Sequence, residues 1–295
     1  IKLILKKIRN IAIILYFPII LIYNLYIYFK YDKNRKRKNS IDKYYRNFPT
    51  SHSPEIIEYL MYKKITGRGY ISSLLNIIYK RGLTLEKIEE NGKDDYILSP
   101  NDENLKEPLT EREKLIRENL IDIFGDGYGS LLLSSIKNID SKDMYRKRKF
   151  ASHYEEWLKR SNMSAEMECF YEKTNKKLSL TFFTTYLALI LFCDFLTHIS
   201  SRSKTFEIIA ILVLSIYTFM HIFKSRKITE KGRELYTKWD GLKNFMKDFG
   251  KFEDKDLPEV ALWEKYLVYA NVFNLSEKLS KEMEIKDMNF DITSN

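Results

Sequence analysis

Residues 178–223, LSLTFFTTYLALILFCDFLTHISSRSKTFEIIAILVLSIYTFMHIF, hold two apolar runs separated by a few polar residues. Each run approaches the roughly 20 residues that a helix needs to cross the hydrocarbon core of a bilayer. The stretch therefore reads as a transmembrane hairpin. Residues 11–29, IAIILYFPIILIYNLYIYF, read as one more span, with tyrosines gathered at its C-terminal end where amphipathic rings sit at headgroup level, and with a kink expected at Pro18.

Charge orients these spans. Lys173, Lys176, Lys177, Lys224, Arg226, Lys227, Lys231 and Arg233 flank the hairpin on its outer sides, whereas the loop between its arms has only Arg202 and Lys204. Cationic flanks stay on the cytoplasmic side. Residues 30–177 and 224–295 are thus expected in the cytoplasm of a multi-pass cell-membrane protein, and residues 200–204 outside. Much of the formal charge of +10 lies beside the apolar runs, as in Lys33, Arg35, Lys36, Arg37 and Lys38, so it is explained by orientation and by anionic lipid before nucleic acid. The two cysteines, Cys169 and Cys193, exclude a disulfide framework and a CxxC metal site. A signal peptide is a poor reading of the first run, which lacks a small-residue cleavage site and is followed by a basic block. The start at Ile1, directly before an apolar run, suggests a fragment.

The remaining chain divides by pattern. Residues 1–30 form the first transmembrane helix and residues 31–53 a basic linker. Residues 54–107 begin with Ser53-Pro54, a helix start. Gly67 and Gly69 break that helix, and the next places Ile71, Leu74, Leu75 and Ile78 at the spacing of an amphipathic helix before Gly82 stops it as a C′ glycine does. LTLEKIEENGKDDYIL then predicts two strands around Asn91-Gly92. Helix, helix and β-wing suggest a small winged-helix-like α+β domain. Residues 108–177 form a helical cytoplasmic region in which Thr110 and Glu113 have the spacing of a capping box. After the hairpin, residues 224–295 form an amphipathic helical tail. Residues 230–249 align Leu235, Trp239, Leu242, Phe245, Met246 and Phe249, and residues 258–273 carry Leu262, Trp263, Tyr266, Leu267, Tyr269, Ala270 and Phe273. Packing of these two helices on each other is the first expectation; a bilayer or a partner is the alternative.

This order of features, with "YKRGLTLEK", "ITEKGRELYTKWDGLKNFMKDFGK" and "LPEVALWEKYLVYANVFNL", resembles the YciQ-like predicted membrane proteins, domain-of-unknown-function family 2207. Lys231-Gly232, Trp239, Phe245, Asp248-Phe249 and the Leu262-Trp263-Glu264, Leu267, Tyr269-Ala270 pattern are its most specific part. The resemblance implies an extracytoplasmic β-rich domain before the first span, and the start at Ile1 suggests that it has been cut away here. It carries over no catalytic residues.

Candidate chemistry is sparse. His52, His153, His198 and His221 are widely spaced and do not form a metal motif. Asp194 and Glu207 lie near the ends of the expected spans, where both can reach the outer interface. Gly67-Arg68-Gly69 and Gly125-Asp126-Gly127-Tyr128-Gly129 lack the order of a phosphate loop, and no GxSxG elbow presents a nucleophile. No cofactor, metal or enzymatic activity is expected. The winged-helix-like part could meet phosphates through Lys63, Lys64, Arg68, Lys80 and Arg81. Its second helix, however, offers only Ser72, Ser73 and Asn76 as polar mid-helix residues, few groups for reading bases. Trp239, Phe245, Trp263, Tyr266 and Tyr269 are the candidate interaction residues.

The sequence thus predicts a mainly α-helical integral membrane protein with three transmembrane helices, one span plus a hairpin. Its expected role is a non-enzymatic membrane-anchored scaffold or signal coupler, with the lipid bilayer and cytoplasmic proteins as partners. A membrane-tethered DNA-binding regulator, or an accessory subunit of a transporter, is the alternative.

Overall fold

A computed structural model describes residues 43–90, 93–137, 143–172, 226–252, 263–281 and 283, together with isolated positions in the apolar runs. The chain forms two compact units, one of Ile1–Lys38 with Cys169–Arg233, the other of Asn39–Glu168 with Glu234–Asn295.

The second unit opens with helix α1, Pro54–Tyr62, in which Pro54 stands where a helix leaves its N–H unpaired anyway. Lys63 ends it in the left-handed region at φ 60°. Helix α2, Gly67–Tyr79, starts at Thr66, whose hydroxyl accepts the Arg68 N–H. At its far end the N–H groups of Arg81 and Gly82 donate to the carbonyls of Ile78 and Ile77, at 2.9 and 2.8 Å, the double bond of a Schellman close. The left-handed residue of this close is Arg81, φ 62°, and not the glycine that the sequence nominates. Gly82 is needed for room instead, because a Cβ there would run into the side chains of Leu109 and Ile77.

Strands β1, Leu83–Glu90, and β2, Lys93–Pro100, pair antiparallel in a register from Leu83↔Pro100 to Glu90↔Lys93, which brackets Asn91-Gly92. Helix α3, Glu111–Phe124, begins with the anticipated capping box: Thr110 Oγ1 accepts the Glu113 N–H, and the Glu113 carboxylate accepts the Thr110 N–H. The short strand β3, Leu131–Leu132, then adds to β2, giving the sheet order β1-β2-β3. The sheet thus takes its third strand from beyond residue 107. Helices α4, Leu133–Lys137, and α5, Met144–Met167, follow. Tyr70 of α2 meets Trp157, Tyr154 and Phe150 of α5 edge-on, with centroids 5.0, 5.6 and 5.9 Å away.

Helix α6, Glu230–Lys247, a 3-10 turn, Phe249–Lys251, and helix α7, Trp263–Val272, complete the described elements, with α7 against α2 and α1. The described part of the first unit holds the first turn of α6, up to Arg233, and an antiparallel bridge between Tyr171 and Ile228. There Thr229 donates its N–H to the Phe170 carbonyl at 2.9 Å, and a Cβ at Gly232 would strike that same carbonyl.

The expectation of an integral membrane fold with three transmembrane helices is corrected here. Among the described residues no helix is long and apolar enough to cross a membrane, and the described fold is mostly helical with one small three-stranded sheet. The longest described helix, α5, has the length for a crossing at 24 residues but fails in composition, since it contains Arg146, Lys147, Arg148, Lys149, Glu155, Glu156, Lys159 and Arg160. Such charges at mid-bilayer depth cost about 2.5–3.5 kcal/mol each. Except for isolated positions, the runs 11–29 and 178–223 lie outside the described residues, as do Asp194, Glu207, His198 and His221.

Candidate functional site

Helix α2 buries polar residues together with Tyr70 and Ile77 and leaves an apolar stripe outside. Its apolar stripe is turned outward: Ile71 is 51% and Leu75 37% exposed, and Leu74 and Ile78 are half-buried. Its polar residues are buried: Ser72 and Ser73 completely, Asn76 nearly so. Two glutamates of α1 explain the inversion. Glu55 and Glu58 stand three residues apart, one helical turn, and both are fully buried. A buried carboxylate must be supplied with donors, so whichever face of α2 meets α1 has to be polar.

The donors come from four elements. Glu55 accepts hydrogen bonds from Ser53 Oγ (2.6 Å), Ser73 Oγ (2.7 Å) and Arg112 Nε (2.8 Å). The Arg112 guanidinium spreads further, donating to Ser164 Oγ of α5 at 2.7 Å and to Ser53 Oγ at 3.0 Å. Glu58 accepts the Thr66 N–H at 2.9 Å and its hydroxyl at 2.5 Å, with the Arg68 Nε at 4.0 Å. Glu113, the capping-box residue of α3, also accepts from Asn76 Nδ2 (2.7 Å) and Lys80 Nζ (2.9 Å). From α7, Asn271 Nδ2 donates to Ser72 Oγ at 2.9 Å and to the Arg68 carbonyl at 3.3 Å. Gly69 lets α2 close onto this seam, for a Cβ there would overlap the Glu58 carboxylate. All three carboxylates are thus committed to internal donors. Among the described residues no group of three or more His, Cys, Asp or Glu side chains is placed to hold a metal ion.

The candidate interaction residues of the tail are gathered into one aromatic seam. Trp239, Phe245, Trp263, Tyr266 and Tyr269 are all buried. Trp239 lies 4.8 Å from Tyr269, Phe245 6.0 Å from Tyr266, and Phe249 5.9 Å from Trp263, so α6 and α7 pack on each other. The linker-side residue Phe48 is inserted between them, 4.9 Å from Tyr266 and 5.4 Å from Tyr269. Both tyrosines also fasten the chain around Phe48, donating to the backbone carbonyls of Arg46 (2.6 Å) and His52 (2.7 Å). Burial pushes the Tyr266 phenol up to about 12 and raises that of Tyr269 further. The described end of residues 31–53 is therefore docked by its aromatic side chains; Gly241 admits it, since a Cβ there would meet Tyr45.

Of the five cations proposed for phosphate contact, Lys80 is buried against Glu113, Arg68 lies over the Tyr62 ring at 5.4 Å, and Lys63 and Arg81 are left-handed residues that close α1 and α2. Lys64 and Arg81 are exposed. Ser72, Ser73 and Asn76, the groups that could have faced bases, point into the seam. Sequence reasoning missed Glu55, Glu58 and Arg112. The available signal was a glutamate pair inside the otherwise apolar PEIIEYLMY.

No curated protein and no solved structure matches the chain. Residues 41–283, which include both seams and the hairpin stretch, match a family model described as the C-terminal domain of predicted membrane protein DUF2207. Most of the chain is covered by that match, and the protein belongs to the DUF2207 family of predicted membrane proteins.

Proposed function

We propose that the protein is a non-enzymatic, membrane-associated interaction protein, a scaffold or signal coupler that presents helix α2 to a partner helix in the cytoplasm. Family membership supports the membrane location. The observation that carries the reading is the outward stripe of Ile71, Leu74, Leu75 and Ile78. Residues at i, i+3, i+4 and i+7 form one continuous ridge, the pattern by which an amphipathic helix engages a complementary groove or helix. The stripe is not a by-product of a loose fold, because the opposite face of α2 is fixed by hydrogen bonds from Ser73 to Glu55 and from Asn76 to Glu113.

The test uses the full-length chain in its native membranes. A photo-crosslinking residue at position 71 or 75 should capture a discrete protein adduct, and the same residue at the exposed Glu118 of α3 should not. Mild-detergent purification of the Ile71→Asn, Leu75→Asn double variant should lose that partner. Retention of the same partner by the double variant, or equal crosslinking from position 118, would defeat the proposal.

A further inference from the structure

Helix α5 begins in a way that electrostatics disfavours. Its first two turns carry Arg146, Lys147, Arg148 and Lys149 in succession, with no acidic residue in the first turn. A helix N-terminus already bears about half a positive charge, so cations there are disfavoured where acidic residues would be favoured. Asp143 at the cap offsets part of this, accepting the Arg146 N–H at 3.0 Å and lying 3.6 Å from its guanidinium. Lys149 is held by Asp122 of α3 at 2.8 Å, which lowers the aspartate's pKa and raises the lysine's. Arg148 is exposed, and among the described residues no carboxylate pairs with it.

Beside this guanidinium lies an open hollow of about 490 Å³, lined by Met144, Tyr145, Arg148, Lys149, Ser152 and His153. The lining combines a guanidinium, an ammonium, a hydroxyl, a phenol and an imidazole, all able to donate to phosphate oxygens. Met144 and Tyr145 at its rim are 52% and 73% exposed, an apolar and an amphipathic side chain beside the cations. Cations that draw in a phosphate, adjoined by side chains that favour the headgroup region, fit a lipid surface better than a free anion.

We infer that this hollow binds the phosphate of an anionic phospholipid headgroup, holding α5 against the membrane face. The site is separate from the α2 stripe and does not depend on the partner proposed for it.

The test is native mass spectrometry of the full chain in neutral detergent, titrated with dioctanoyl phosphatidylglycerol. Saturable binding of this lipid, with dioctanoyl phosphatidylcholine binding at least about tenfold more weakly, is expected; about tenfold corresponds to roughly 1.4 kcal/mol. Arg148→Ala should weaken phosphatidylglycerol binding by a similar factor. Lys159→Ala, which removes an exposed charge farther along the same helix, should leave it within about twofold. Hydrogen exchange across residues 144–153 should slow when the lipid is added. Equal loss from Lys159→Ala would reduce the effect to net charge and overturn the site. Inorganic phosphate that binds as tightly as the lipid, or a short oligouridylate that displaces it with the same sensitivity to Arg148→Ala, would overturn the lipid assignment. Circular dichroism of both variants checks that the fold is intact, as expected for exposed positions.

Discussion

The tail and helix α2 solve the same packing problem with opposite chemistry. Between α6 and α7 the contact is aromatic, with Trp239, Phe245 and Phe249 fully buried and Phe48 inserted from the preceding chain. Between α1, α2 and α3 apolar side chains such as Ile57, Leu60, Ile77 and Ile116 are buried beside three glutamates, each supplied with donors. Apolar burial is non-directional, so the tail's stripe can pack against any surface of matching shape. A buried carboxylate needs particular donors at hydrogen-bond distance. The glutamates of α1 and α3 therefore fix which face of α2 is inward; Ile77 shares that face, and Ile71, Leu74, Leu75 and Ile78 are left on the outer one.

The largest expected effects come from breaking either seam. Trp239→Ala should destabilise the domain by about 3–5 kcal/mol, read by chemical denaturation of the full chain, because it removes the ring that contacts Tyr269, Phe48 and Phe273. Among the described residues its buried indole N–H finds no hydrogen-bond partner, so this loss is one of apolar packing. Glu113→Ala should cost a comparable amount, about 3–5 kcal/mol, by leaving the Lys80 ammonium buried without its carboxylate. The two seams separate in the second step. Adding Lys80→Met to Glu113→Ala should recover part of the loss, since the stranded charge disappears, whereas no second apolar substitution should restore Trp239→Ala. If Lys80→Met made the Glu113 variant worse, the buried charge would not be the source of the cost.

Alkaline pH should weaken the fold through its buried tyrosines, two of them in the aromatic seam and one between α2 and α5. The Tyr266 phenol is raised to about 12, and those of Tyr269 and Tyr70 are raised as well, by burial. Above pH 10 the unfolded tyrosines lose protons while the folded ones keep them, so the unfolded state binds fewer protons and stability falls with rising pH. The contribution is complete below pH 10 and declines as pH climbs through 10 to 12. Denaturation midpoints measured across that window should drop, and Tyr266→Phe should flatten the slope.

How much of this was legible in the sequence follows from the same contrast. The tail could be read because apolar spacing and apolar burial coincide there: Trp239, Leu242, Phe245, Met246 and Phe249 fall on one face, and that face is inside. The Thr110–Glu113 capping box could be read because it is local, a matter of three residues' spacing. The orientation of α2 could not. Ile71, Leu74, Leu75 and Ile78 have an ordinary core periodicity, and what overrides it is Glu55, 18 residues before its partner Ser73, and Glu113, 37 residues after Asn76. Periodicity finds a stripe; it does not say which side of the helix the rest of the chain will occupy. Similarly, nothing in the spacing of Phe48 assigns it to a seam formed by residues about two hundred positions later.

A smaller effect lies at the end of α2. Arg81 occupies a left-handed conformation that costs a residue with a Cβ about 1–2 kcal/mol. Arg81→Gly should therefore raise stability by roughly 1 kcal/mol, less the extra freedom that glycine gives the unfolded chain. A decrease would mean that the Arg81 side chain contributes more to the native state than its backbone strain costs.

The smallest effect on stability should come from the substitution that looks most damaging in the sequence. Ile71→Asn with Leu75→Asn replaces two members of an i, i+3, i+4, i+7 apolar stripe by amides, which in the tail would be ruinous. On α2 both side chains are exposed, and the helix is retained by its buried face, where Ser73 and Asn76 reach Glu55 and Glu113. Leu75→Asn also exchanges a good helix former for a poorer one, a loss of a few tenths of a kcal/mol, whereas Ile and Asn have similar helix propensities. The denaturation midpoint of the double variant should therefore stay close to that of the parent, within about 0.5 kcal/mol per site. A loss on the scale of Trp239→Ala would show that the stripe is packed within the folded chain and would turn α2 right side out.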